Sequence, residues 1–76
     1  MPANFWTTLQ IAYYNAAVEQ EYLCRFREAI ESFKMAKQIS LKYLKDEDSD
    51  MVQTIDKTLE EVKFKMETRE KAHLYR

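Results

Sequence analysis

The chain has 76 residues, with 12 basic and 13 acidic side chains and a formal net charge of −1. That length allows one small domain, near the lower limit at which a single core sustains itself. The charge balance gives no electrostatic case for nucleic acid or an anionic membrane surface.

Glycine is absent and Pro2 is the sole proline, which makes an all-α chain with few sharp turns the natural reading. A first helix is expected over residues 4–24, because Pro2 suits a first turn and Asn4 a cap. At about 100° per residue, Phe5, Leu9, Ala12, Tyr13, Ala16, Gln20 and Leu23 fall on one face. Ile11, Tyr14, Val18 and Tyr22 fall on the opposite one. The first stripe is expected to face the chain's own core. The second is then free for something else.

A second helix is expected over 26–44, with Phe26, Ala29, Ile30, Phe33 and Ala36 as its inner face, continued by Ile39, Ser40, Tyr43 and Leu44. Lys34, Lys37, Lys42 and Lys45 occupy its outer positions, and lysine near a helix C-terminus complements the macrodipole. The acidic run Asp46–Asp50 then breaks the pattern. Asp50 and Gln53 stand at capping-box spacing, and negative charge suits a helix start. A calcium loop would need alternating ligands around a central glycine, which the run lacks.

The third helix is expected over 50–72. Its seam of Val52, Ile55, Leu59, Val62 and Met66 recurs at steps of three and four, too short for a coiled coil and suited to covering the first two helices. Residues 73–76 are expected to fray. Phe64 lies on the outward side, where with Tyr75 it could form a small secondary contact.

Cys24 and His73 are the only cysteine and histidine, so neither an internal disulfide nor a zinc site can be assembled. No serine, cysteine or histidine has a catalytic partner at meaningful spacing. No enzyme activity, metal or cofactor is expected. Residues 1–11 carry no basic segment of a signal peptide, and no apolar run spans a bilayer. A reducing, cytoplasmic setting is the default expectation, with cytoskeletal or ciliary association compatible with it.

Over residues 10–44 the chain resembles a tetratricopeptide repeat (TPR), a helix–turn–helix unit with small residues where its helices cross. Tyr13 takes the place of the family's early aromatic and Ala17 that of a small crossing residue. Leu23 and Phe26 flank the turn, followed by Ala29, Phe33 and Ala36. Cys24 replaces the usual turn glycine, Gln20 an aromatic, Ala16 a leucine, and Leu41 the proline that commonly ends the unit. The long second helix, the polar loop and the Thr54–Val62 segment are similar to the extended repeats of kinesin light chains.

The resemblance implies an antiparallel hairpin plus a third, capping helix, acting as a non-enzymatic adaptor or scaffold module within a longer array. It also implies that Ile11, Tyr14, Val18, Glu21 and Tyr22 touch a partner peptide or helix, with Asn15 bonding the peptide backbone. Phe5 and Trp6 would lie where a preceding repeat stacks. A second resemblance is to the MIT domain (microtubule interacting and trafficking), a three-helix bundle that binds tails of ESCRT-III proteins beside its third helix. A third reading is a structural element that self-associates through the Ile11/Tyr14/Val18/Tyr22 stripe. All three bury a protein surface there, because monomers rarely expose such a contiguous apolar stripe.

Overall fold

Three helices follow one another: α1 (Asn4–Tyr22), α2 (Phe26–Lys42) and α3 (Asp50–Leu74). The structure, a computed structural model, describes residues 4–45 and 50–74. The architecture is all-α: a helical hairpin with a third helix laid against it. α2 is the middle element, and both other helices pack chiefly on it.

The side-chain contacts fix the directions. Trp6 meets Tyr43, Gln10 meets Ser40, and Gln20 meets Ser32, so residue numbers rise along α1 as they fall along α2. These two helices are antiparallel. Lys37 pairs with Asp56 at 2.5 Å and Arg27 with Glu70 at 3.6 Å, which makes α3 antiparallel to α2 and parallel to α1. The result is an elongated body of 52 × 21 × 14 Å.

The core follows the periodicity of α2 and α3. Ala29, Ile30, Phe33, Ala36, Ile39 and Ser40 are buried along α2. Val52, Ile55, Leu59 and Val62 are buried along α3, with Met66 packed at the edge of the cluster. Three fully buried alanines, Ala17, Ala29 and Ala36, let the backbones approach without displacing Phe33.

On α1 the expected core face is wrong by about a quarter of a turn. Gln10 and Ala17 are its buried residues, and Trp6, Tyr13, Tyr14, Gln20 and Glu21 are half-buried beside them. Phe5, Ala12, Ala16 and Leu23 are exposed instead. The reason lies in what α2 offers. Ser40 can satisfy Gln10, and a residue as small as Ala17 is needed against the Phe33 neighbourhood, so a seam of modest hydrophobicity wins over a more apolar one.

Asp50 is the first residue of α3 itself, so it stands in the first turn and not at the cap position that its spacing to Gln53 suggested; an acidic residue there suits the positive end of the helix dipole. The preceding acidic run, residues 46–49, lies outside the described residues, as does Tyr75. Helix α2 ends at Lys42 with Tyr43 as its C-cap, and α3 continues through Leu74.

The α1–α2 turn explains the missing glycine. The Arg25 N–H donates to the Gln20 carbonyl at 2.8 Å and the Cys24 N–H to that of Glu21 at 2.9 Å. This is the two-bond ending that requires a left-handed residue just past the helix, normally glycine. Here Cys24 takes that conformation with φ 61°, and its Cβ makes it unfavourable. Cys24→Gly is therefore expected to stabilise the chain by about 1 kcal/mol. Urea denaturation would register this as a raised midpoint at unchanged slope. A lowered midpoint would mean that the Cys24 side chain stabilises the turn.

Gln10 and Ser40 form the buried polar contact of the hairpin. The Gln10 Nε2 donates to the Ser40 Oγ, which in turn donates to the Ala36 carbonyl at 3.0 Å. Ser40→Ala should leave the Gln10 amide buried without that acceptor and destabilise by about 1–3 kcal/mol. Replacing both, as Gln10→Leu with Ser40→Ala, should recover most of that loss. Thermal unfolding of the two single variants and the double variant measures the coupling. Additive losses would show that the contact is not energetically shared.

Candidate functional site

Helix α1 carries no charged residue between Asn4 and Val18. Apolar residues occupy both shoulders of its buried seam, and the polar side opposite that seam is narrow, made by the exposed Asn4, Thr8, Asn15 and Glu19. Only one side is enclosed here.

One shoulder carries Ile11, Asn15, Val18 and Tyr22, spaced four, three and four residues apart on a continuous row. Ile11 is 45 % exposed, Val18 47 % and Tyr22 85 %, and Asn15 is exposed between them. The row lies just outside the edge that turns toward α3. Tyrosine supplies a large rigid surface at low entropic loss, and asparagine can both donate and accept. This surface suits the flank of another helix or an extended segment.

Tyr14 and Glu21, expected in the same binding set, face inward instead. The Tyr14 ring meets Phe33 edge-on, with centroids 5.7 Å apart, and packs against the core cluster. Glu21 Oε1 accepts from Lys65 of α3 at 3.4 Å, while its Oε2 is buried without a hydrogen-bond partner. Both residues tie α1 to the rest of the bundle because they sit about 60–80° closer to the buried seam than the exposed row does.

The opposite shoulder carries Phe5, Leu9, Ala12, Ala16 and Leu23. Phe5 is 39 % and Leu23 53 % exposed, and Phe5, Leu9 and Ala12 line a shallow apolar depression with Asn4 and Thr8. Trp6 stacks on Tyr43 with centroids 3.6 Å apart and planes 4° from parallel, and Phe5 abuts its edge. These rings close the open end of the hairpin.

Helix α3 contrasts with α1. Its outward positions are mainly Lys, Glu, Asp and Arg, and Phe64, 69 % exposed, is its one exposed large hydrophobic residue among those described. A cleft lined by Phe26, Phe64, Lys65, Thr68 and Ala72 lies beside it, bounded by Cys24 and Arg69. The Arg69 guanidinium donates to the Cys24 carbonyl at 3.3 Å, pinning α3 to the turn.

Among the described residues no group of three His, Cys, Asp or Glu side chains converges as metal ligands would. None of the described helices is long and apolar enough to cross a membrane. The chain matches no protein-family model, and neither a curated protein nor a solved structure matches it.

Proposed function

We propose that the chain is a non-enzymatic protein-binding module, a TPR-like hairpin with a capping helix, that receives a partner helix or extended peptide on the Ile11/Asn15/Val18/Tyr22 row. The observation that carries this reading is Tyr22, a large aromatic left almost fully exposed in line with Ile11 and Val18. The parallel arrangement of α1 and α3 across α2 is compatible with a repeat architecture, as it is with a three-helix bundle. The charged outer face of α3 suits the end of such an array. An adaptor or scaffold role in a reducing intracellular compartment accords with this surface, including one on the cytoskeleton or cilium.

The MIT-like alternative draws on the cleft beside α3, where Phe64 and Phe26 are flanked by Lys65 and Arg69. The two readings separate by site. A photo-crosslinking amino acid at Val18 should capture a partner protein in cells, and one at Glu60 on the charged face of α3 should not. Capture from Phe64 with none from Val18 would transfer the function to the cleft. Equal yields from Val18 and Glu60 would show that the row has no specificity.

A further inference from the structure

We infer that Tyr22 is a phosphoacceptor: a tyrosine kinase phosphorylates its hydroxyl, and the phosphate closes the row of Ile11, Asn15 and Val18 to the partner. The closure rests on the reading of that row as a binding surface. The acceptor assignment does not.

Among the described tyrosines, Tyr13 and Tyr14 pack against the core cluster and Tyr43 is stacked on Trp6. Tyr22 is 85 % exposed and is the last residue of α1. Exposure alone does not deliver a hydroxyl to a kinase. The acceptor oxygen must lie in line with the γ-phosphorus inside a cleft, so the backbone around it has to leave the helix.

The segment around Tyr22 opens at low cost. Cys24 holds a left-handed conformation, φ 61°, with a Cβ that disfavours it. Glu21 Oε2 is buried without a hydrogen-bond partner, so release to water is favourable for it. The ties to α3 are long and exposed: Lys65 to Glu21 Oε1 at 3.4 Å, and Arg69 to the Cys24 carbonyl at 3.3 Å. Helix ends held by few and weak contacts are the first parts of a fold to open. Opening also frees Glu19 and Glu21, on the N-terminal side of the acceptor, for a basic substrate cleft.

In the transfer the Tyr22 oxygen bonds to the γ-phosphorus of a nucleoside triphosphate. The bond from that phosphorus to the β,γ-bridging oxygen breaks, the nucleoside diphosphate leaves, and the phenolic proton passes to the kinase's catalytic aspartate. The product adds about −1.5 to −2 charges at the C-terminal end of α1. That end is the negative pole of the helix dipole, and the row from Ile11 to Val18 carries no charge of its own. A partner matched to an uncharged row would have to desolvate the phosphate.

Magnesium ATP and a tyrosine kinase domain of broad specificity, applied to the full chain with peptide mapping by mass spectrometry, test the acceptor. Tyr22 should be labelled at least about tenfold faster than Tyr13, Tyr14 or Tyr43, which need a larger opening. Cys24→Gly relieves the turn and should slow labelling of Tyr22 about fivefold, because fewer molecules hold the segment open. Chain recovered from vanadate-treated cells should carry phosphate at Tyr22. A synthetic chain with phosphotyrosine at position 22 and a photo-crosslinker at Val18 should capture about tenfold less partner from lysate than its unphosphorylated counterpart.

A folded chain unlabelled at Tyr22, equal labelling of Tyr13 or Tyr14, an unchanged rate in Cys24→Gly, or cell-derived chain without the phosphate overturns the acceptor. Undiminished capture by the phosphorylated chain overturns the closure. No capture by the unphosphorylated chain removes the binding row, and the closure with it, and leaves the acceptor standing.

Discussion

Phe33→Ala should remove about 3–5 kcal/mol of stability, the usual range for deleting a fully buried ring. Phe33 has no solvent exposure and belongs to the core cluster shared by α1, α2 and α3, with Tyr14 packed edge-on against it. At about 0.05–0.15 kcal/mol per residue, a chain of 76 residues holds roughly 4–11 kcal/mol in total. The substitution therefore removes a large share of what keeps the bundle folded. Neighbouring Ala17, Ala29 and Ala36 are too small to fill the cavity by rotating, which places the loss toward the upper end. Far-UV circular dichroism through a urea titration should show a much lower midpoint or a chain already partly unfolded in water. A change below about 1 kcal/mol would mean that the hairpin is held by its ends, through Trp6–Tyr43 and the turn at Cys24, instead of by its centre.

Tyr22→Ala should leave stability unchanged within about 0.5 kcal/mol and weaken binding of the partner by about 2 kcal/mol, as removal of an aromatic anchor does. Its 85 % exposure means that little is lost from the fold when the ring is removed. Tyr14→Ala should behave in the opposite way. Its ring is part of the packing against Phe33, so truncation should destabilise the bundle, and binding should fall only through the folded fraction. Thermal melts of the two variants, run beside an affinity measurement on the cross-linked partner once it is isolated, distinguish them. Equal losses of stability would place Tyr22 against the body of the protein. Full affinity in Tyr22→Ala would remove it from the interface.

The number and type of elements were legible in the sequence because α2 and α3 each have one strong apolar stripe against charged outer positions. Ala29, Phe33 and Ala36 on α2, and Val52, Ile55, Leu59 and Val62 on α3, were assigned to the core from periodicity and are buried there. The exposure of Ile11, Val18 and Tyr22 was legible from their shared helix face, whereas Tyr14, assigned to the same stripe, is turned inward against Phe33.

The orientation of α1 was not, because a helix without charge from Asn4 to Val18 has only a narrow and weakly polar side, Asn4, Thr8, Asn15 and Glu19, to set against its apolar faces. Periodicity ranked Phe5, Leu9, Ala12 and Ala16 above the seam of Gln10 and Ala17 that is buried, although the resemblance to a helical repeat had already set Ala17 at the crossing, where it is fully buried. Only the partner surface on α2 decided the matter, with Ser40 to satisfy the Gln10 amide and Phe33 demanding a small residue opposite. The same rotation carried Tyr14 and Glu21 inward to Phe33 and Lys65, and left Phe5, Ala12, Ala16 and Leu23 exposed. The sequence by itself determined three helices and the apolar character of α1, since local pattern and propensity suffice for those. Which part of that apolar surface is core and which is left for another chain was decided by tertiary packing, because burial depends on the shape and hydrogen-bonding groups of the facing helix.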